Sequence, residues 1–271
     1  MDRLLMLFML PPVLRGGAAL LISGAFFPLC GVMLLRLQLV PLRYMLMHGV
    51  ILGGALAVAL SLPLVPLTVA VNLALVFAMT YFSKNESFSF GGVSAASMVF
   101  SMALASLITR IADVPAKDTL SLLWGSPFAL GTADIALLAV LAIFLAAYII
   151  INFKNIAALF FSRDIAYSLG IRVRTHYTIM VSIIALTVAA AMKLLGAFLI
   201  DALLILPVLS ASSFFRRRKK GQGIRALFFL SAALGFVFSV SGYVISVAFD
   251  LPPGAVIALI AGIAYAVFNV I

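Results

Sequence analysis

The stretch KNIAALFFSRDIAYSLGIRVR, Lys154 through Arg174, decides how the chain must be folded. It carries Lys154, Arg163, Arg172 and Arg174 against the single acid Asp164. On one side lies Leu130–Ile151, apolar except for Asp134; on the other, Tyr177–Met192 carries no charge at all. Apolar runs of about 20 residues have the length of a membrane-crossing helix. A basic interlude between two of them belongs at the membrane surface. Within it, Ala157, Phe160, Phe161, Asp164 and Ser168 are spaced to share a helical face, which predicts one short amphipathic helix over Ile156–Leu169. Such a helix would offer a face to another body.

Composition extends this reading to the whole chain. Of 271 residues, 65% are hydrophobic and 10% are charged, against about 25% charged in soluble domains. That surface cannot be covered with polar side chains, so the protein is integral to a membrane. Helices satisfy their own backbone in lipid, and the period-two alternation of a barrel is absent. The expected fold is an all-α polytopic membrane protein, one transmembrane domain over 1–271. The net charge of +10 follows from loop arginines and lysines under positive-inside bias, and no nucleic-acid partner is expected. The lone Cys30 excludes an internal disulfide and a cysteine metal site.

Nine spans are expected, with eight to ten compatible: 14–35, 45–62, 65–82, 91–111, 131–152, 175–193, 197–213, 225–247 and 252–270. Pro63-Leu64-Val65-Pro66 makes the corner between the second and third. Val114–Gly131, with Trp124, suits an interfacial helix. Placing Lys154–Arg174 and the basic run at 216–220 in the cytoplasm puts the C-terminus inside and the Asp250–Gly254 corner outside. The basic run is expected to lie on anionic headgroups.

There is no glycine-rich phosphate loop, and one glutamate with seven aspartates is a poor nucleotide-hydrolysing set. The chain is therefore not expected to be an enzyme, and any ATP must be bound by a partner subunit. Ionisable residues inside spans are functional candidates. His48, in YMLMHGVILGG, and Asp201, in GAFLIDALLILP, supply imidazole and carboxylate suited to manganese, zinc or iron. Asn72 is expected to make an interhelical hydrogen bond, and His176 to be solvated. Gly49 with Gly53, and Gly196 and Gly242, permit close helix approach.

Five segments, in order, resemble the membrane permeases of the zinc, manganese and iron ABC importers of bacteria. CGVMLLRLQLVPLRYMLMHGVILGG (30–54) is similar to the family's run from a glycine-rich first helix through "LRR" to a G-D-A-x-S-H-A-x-x-P-G motif. NESFSFGGV (85–93) matches an E-D-x-x-I-G segment at Glu86 and Gly91. FFSRDIAYSLGI (160–171) matches F-D-x-E-x-A-x-x-L-G at Phe161, Asp164, Ala166, Leu169 and Gly170. LLGAFLIDALLILPVLSA (194–211) resembles V-G-x-L-L-V-x-A-L-L-x-x-P-A-A-x-A, and DLPPGAVIAL (250–259) matches a D-L-P-P-G signature.

The resemblance implies a homodimeric permease in a bacterial cytoplasmic membrane. It implies two ATPase subunits inside and a solute-binding protein outside. About 156–170 would be the coupling helix, with Phe161, Arg163, Asp164, Ala166, Leu169 and Gly170 docking on the ATPase. Asp250, Pro252, Pro253 and Gly254 would form the external mouth or the docking surface for the binding protein. The expected cargo is a divalent cation moved by alternating access, touched by His48 and Asp201, with no intrinsic cofactor. Tyr44, Met47 and Leu52 depart from the histidine motif, where the family has an acid four residues before the histidine. That departure leaves open a metal chelate or other small solute in the same architecture. A secondary transporter or channel without an ATPase is the more distant alternative.

Overall fold

The computed structural model describes residues 2–82, 90–113, 125–217 and 223–270. Among these residues it forms twelve α-helices and one 3₁₀ turn, Pro127–Ala129. The helices are α1 Asp2–Met9, α2 Pro11–Arg36, α3 Val40–Ala59, α4 Leu64–Phe82, α5 Phe90–Ile111 and α6 Thr132–Ile151. They continue with α7 Phe153–Phe161, α8 Arg163–Ser168, α9 Val173–Leu195, α10 Ala197–Arg217, α11 Ile224–Phe249 and α12 Pro253–Val270. Each of the nine expected apolar runs is helical, and the fold is that of a multi-pass membrane bundle. Among the described residues, eight helices (α2–α6 and α9–α11) are long and apolar enough to cross a bilayer, and Pro253–Asn269 falls just short.

The helix ends follow local chemistry. α6 starts where the Gly131 N–H donates to the Asp134 carboxylate, 2.8 Å away, so the one charge of that run caps its first turn. α3 ends in a Schellman turn: Leu62 N–H bonds to Ala57 O at 2.9 Å and Ser61 N–H to Val58 O at 3.2 Å, with Ser61 at φ +53°. The Pro63–Pro66 corner then opens α4. α11 ends the same way, with Asp250 at φ +53° and Leu251 N–H on Ser246 O at 3.0 Å. Pro252 and Pro253 prevent continuation. Gly196, at φ +95°, separates α9 from α10.

Two compact units result. One comprises Met1–Leu35, Ser126–Ile151 and Leu194–Ile271. In it α10, α11 and α12 pack on one another, and α1 touches α11. Gly17, Gly24 and Gly31 recur at seven-residue spacing along α2 and let other backbones approach. A Cβ on Gly17 would stand 2.8 Å from the Tyr243 ring, and one on Gly24 2.6 Å from Ser239 Cβ and 2.7 Å from Gly235 O. At Gly31 it would strike the carbonyl oxygen of Leu204. The 3₁₀ turn packs by Phe128 on Gly16, and Arg15 donates to Leu130 O at 3.4 Å. The expected interfacial helix over Val114–Gly131 is, in its described end, this turn; residues 114–124, Trp124 included, lie outside the described residues.

The other unit is Arg36–Gly125 with Asn152–Lys193. Here α3 packs on α4 and α5, with Leu52, Ala55 and Ala105 at the centre of an apolar cluster. Gly53 brings α3 against Thr68 of α4, where an added Cβ would lie 2.6 Å from the Thr68 Cα. Asn72 does not hydrogen-bond across helices as expected. Its Nδ2 donates to Thr68 O on its own helix at 3.0 Å, and its Oδ1 abuts Gly49. With no side chain at Gly49, the amide sits against bare backbone that offers only weak Cα–H donors.

Candidate functional site

His48 lies on α3 and is buried. Its Nδ1 is 2.7 Å from the carbonyl oxygen of Tyr44, one turn back. A carbonyl only accepts, so Nδ1–H donates, which leaves Nε2 as the nitrogen that could bind a metal through its lone pair. Tyr44 is exposed, and the Arg43 guanidinium stands 4.4 Å over its ring. Tyr44 thus serves His48 through its backbone, and its side chain is directed elsewhere. Met45 is fully buried, a core residue.

Asp201 lies on α10, half-buried in the first unit, while His48 belongs to the second. Among the described residues, no group of three or more His, Cys, Asp or Glu side chains is placed to hold a metal ion.

The basic interlude differs from its expected form. The single helix over Ile156–Leu169 is instead two, α7 and α8, broken at Ser162, whose backbone is extended at φ −164°, ψ 144°. The reason is capping: Ser162 Oγ accepts the Asp164 N–H at 3.1 Å, so the serine starts a new helix instead of continuing the old one. Asp164 then sits in the first turn of α8, where the helix dipole favours an acid. α8 closes in a Schellman turn, with Gly170 N–H on Tyr167 O at 2.9 Å and Ile171 N–H on Ala166 O at 3.1 Å. Gly170 occupies the left-handed position at φ +74°, which explains a glycine there.

The break decides which side chains face out. Phe161, Tyr167 and Leu169 are 76%, 79% and 66% exposed, and Ile165 is exposed beside them, while Ala166 is fully buried. Ile165 and Tyr167 were not anticipated, because a continuous helix through residue 162 assigns the wrong face. Arg163 lies over the Tyr177 ring, 4.5 Å from its centroid. His176 is not simply solvated: its Nε2 is 3.2 Å from Asn155 Nδ2, and its Nδ1 is buried. Glu86, Lys84 and the basic residues 218–220 lie outside the described residues.

At the α11–α12 corner, Asp250 lines a cavity of about 750 Å³ with Leu7, Val13 and Phe128. The Ser246 hydroxyl donates to Leu251 O across the turn. Gly254 sits against Leu199 of α10, 3.4 Å from its Cβ if a methyl is added.

Comparison with known proteins matches residues 9–271 to the ABC 3 transport family. The zinc uptake membrane protein ZnuB of Haemophilus influenzae is 24% identical over 77% of this chain and 78% of its own length. The manganese import permease ScaB of Streptococcus gordonii is 25% identical over 81% and 77%. An uncharacterized membrane protein of Synechocystis is 29% identical over 164 residues, and the match spans only 56% of its length. Among solved structures, PsaBC of Streptococcus pneumoniae, bound to a Fab, superposes with a TM-score of 0.83 at 19% identity, covering 100% of this chain and 95% of that one. An inward-facing metal-chelate type ABC transporter gives 0.76 at 19% identity, covering 94% and 84%. The bundle and the match over nearly the whole length converge: this chain belongs to the ABC 3 transport family, as a membrane permease subunit of an ABC importer.

Proposed function

We propose that the protein is the permease of an ATP-driven importer that moves a divalent metal ion, manganese, zinc or iron, by alternating access. The observation that carries this reading is the match of residues 9–271 to a transport family whose named relatives serve zinc and manganese uptake. Two copies of the permease would pair with two ATPase subunits and receive cargo from an extracytoplasmic binding protein. The membrane is the bacterial cytoplasmic membrane, with the C-terminus inside.

Phe161, Arg163, Asp164, Leu169 and Gly170 form the coupling segment in this reading, with Ala166 holding it to the protein. The exposed apolar side chains among them support this, since such side chains beside arginines suit a protein partner. Asp250 with Pro252, Pro253 and Gly254 forms the external mouth or binding-protein dock. His48 and Asp201 are the proposed ion contacts, supported for His48 by a ring whose tautomer leaves Nε2 for a ligand.

Tyr44 favours a second reading. The family's acid four residues before the histidine would share a helix face with it, and here that position is an exposed tyrosine. The likeness to a metal-chelate type transporter at a TM-score of 0.76 is compatible with a bulkier cargo. Reconstitution with the ATPase and binding protein, assayed against manganese, zinc, iron and copper and then their chelates, separates the two. Stimulation by one free cation, lost in His48→Ala or Asp201→Ala, supports the ion. ATPase assembly with response only to chelates moves the cargo to that class. No assembly at all would refute an ABC importer.

A further inference from the structure

We propose that the cavity lined by Arg163, Tyr167, Gly170, Arg172, Arg174 and Tyr177 binds the phosphate headgroup of an anionic phospholipid. It is about 750 Å³, and among the described residues its walls all come from the one stretch 163–177. Among the described residues, three arginines line it and no acidic residue does.

The turn at Gly170 makes the arginines converge. Its left-handed backbone, φ +74°, sends the chain from the end of α8 into α9 within four residues. Arg172 and Arg174 thereby join Arg163 around one space. Tyr177 holds Arg163: the guanidinium carbon lies 4.5 Å from the ring centroid, and the side chains share a hydrogen bond. A guanidinium has five N–H donors, so the one given to Tyr177 leaves others for oxyanion oxygens, and arginine is suited to bidentate contact with them. Arg172 and Arg174 flank the first residue of α9, the positive end of its dipole, so cations there gain most when an anion is bound among them.

Two observations favour a lipid over a free anion. Val173–Met192 is long and apolar enough to cross a bilayer, which sets the cavity at the end of a span, at headgroup level. The remaining walls are apolar, Ile171 and Val173 with the two tyrosine rings. Such walls suit the glycerol and first methylenes of a lipid, and the tyrosines are typical of the membrane interface. A bound headgroup would tie the α8 turn to the start of α9. The inference rests on the membrane reading of α9 and not on the identity of the cargo.

The test uses the full permease, purified in detergent and delipidated, with lipid retention read by native mass spectrometry and stability by thermal unfolding. Phosphatidylglycerol is expected to bind saturably and raise Tm, and phosphatidylcholine to do neither. The Arg172→Gln/Arg174→Gln pair should weaken phosphatidylglycerol binding about tenfold or more, with the lipid-free Tm unchanged. If the pair does not fold, Arg174→Gln alone should weaken binding and Arg172→Lys/Arg174→Lys should keep part of it. Equal binding of the two lipids, or undiminished binding by the glutamine variants, overturns the proposal. Inorganic phosphate protecting as well as phosphatidylglycerol would assign the cavity to a free oxyanion and overturn the lipid. An arginine effect seen only once an ATPase subunit is added would assign it to an acidic protein side chain, with the same consequence.

Discussion

The Nδ1 atom of His48 lies 2.7 Å from the carbonyl oxygen of Tyr44 on the same helix. The main chain, not a neighbouring side chain, therefore selects the tautomer. His48→Ala should lower uptake at limiting metal by at least about tenfold, a larger loss than the few degrees of Tm expected from truncating a buried side chain would explain. Tyr44→Phe should leave uptake as it is, because the acceptor is backbone. Radiotracer uptake into proteoliposomes reads both; normal uptake by His48→Ala would remove the residue from the path.

Close helix approach at α2 predicts a graded glycine series. A methyl on Gly31 meets the Leu204 carbonyl, and backbone cannot swing aside. Gly31→Ala should cost about 1–3 kcal/mol and several degrees of Tm in detergent. Gly262, on α12, has nothing within 4 Å of an added Cβ. Gly262→Ala should therefore leave Tm level or slightly raised. Equal losses at both positions would contradict the packing.

Ser162 caps α8 through the Asp164 amide. Ser162→Ala should loosen that helix by about 1 kcal/mol, and Ser162→Asp should retain the cap. Hydrogen exchange at residues 164–168 is the direct reading: about fivefold faster in the alanine variant, with α9–α11 unaffected. Unchanged exchange would mean that the serine is not what starts α8.

Gly170 presents the opposite case to Gly31. Space is open around it, and only its positive φ is demanding. Gly170→Ala should cost about 1–2 kcal/mol from the left-handed backbone, and Gly170→Asn less. Binding of the partner ATPase by the solubilised permease should weaken in the same order. Alanine and asparagine variants that bind like the parent would show that the turn is dispensable for docking.

Much of this architecture is legible in the residues. Apolar runs long enough to span a bilayer have few other solutions in lipid, so the helices and most of their ends could be read directly. Asp134 at the start of α6, Pro63 and Pro66 after α3, and Pro252-Pro253 after α11 mark boundaries through chemistry that acts within one turn. The motif glycine at 170 was readable as a match, and its φ of +74° supplies the reason.

Other features depended on contacts between residues far apart in sequence. The seven-residue rhythm of Gly17, Gly24 and Gly31 acquires meaning only when Tyr243, Ser239 and Leu204 are found against it. Asn72 turned inward on its own helix because Gly49 left its oxygen facing backbone. Ser162 could have been read either as a polar position on one helix or as the cap of a second; its backbone geometry decided, and with it which of Phe161, Ile165, Tyr167 and Leu169 face out. Sequence by itself determined the membrane class, the nine long apolar helices and their order, because burying apolar side chains and satisfying backbone hydrogen bonds are demands each segment meets locally. Tertiary structure alone decided which faces meet, since helix contact in lipid is settled by the fit of small residues against particular distant side chains.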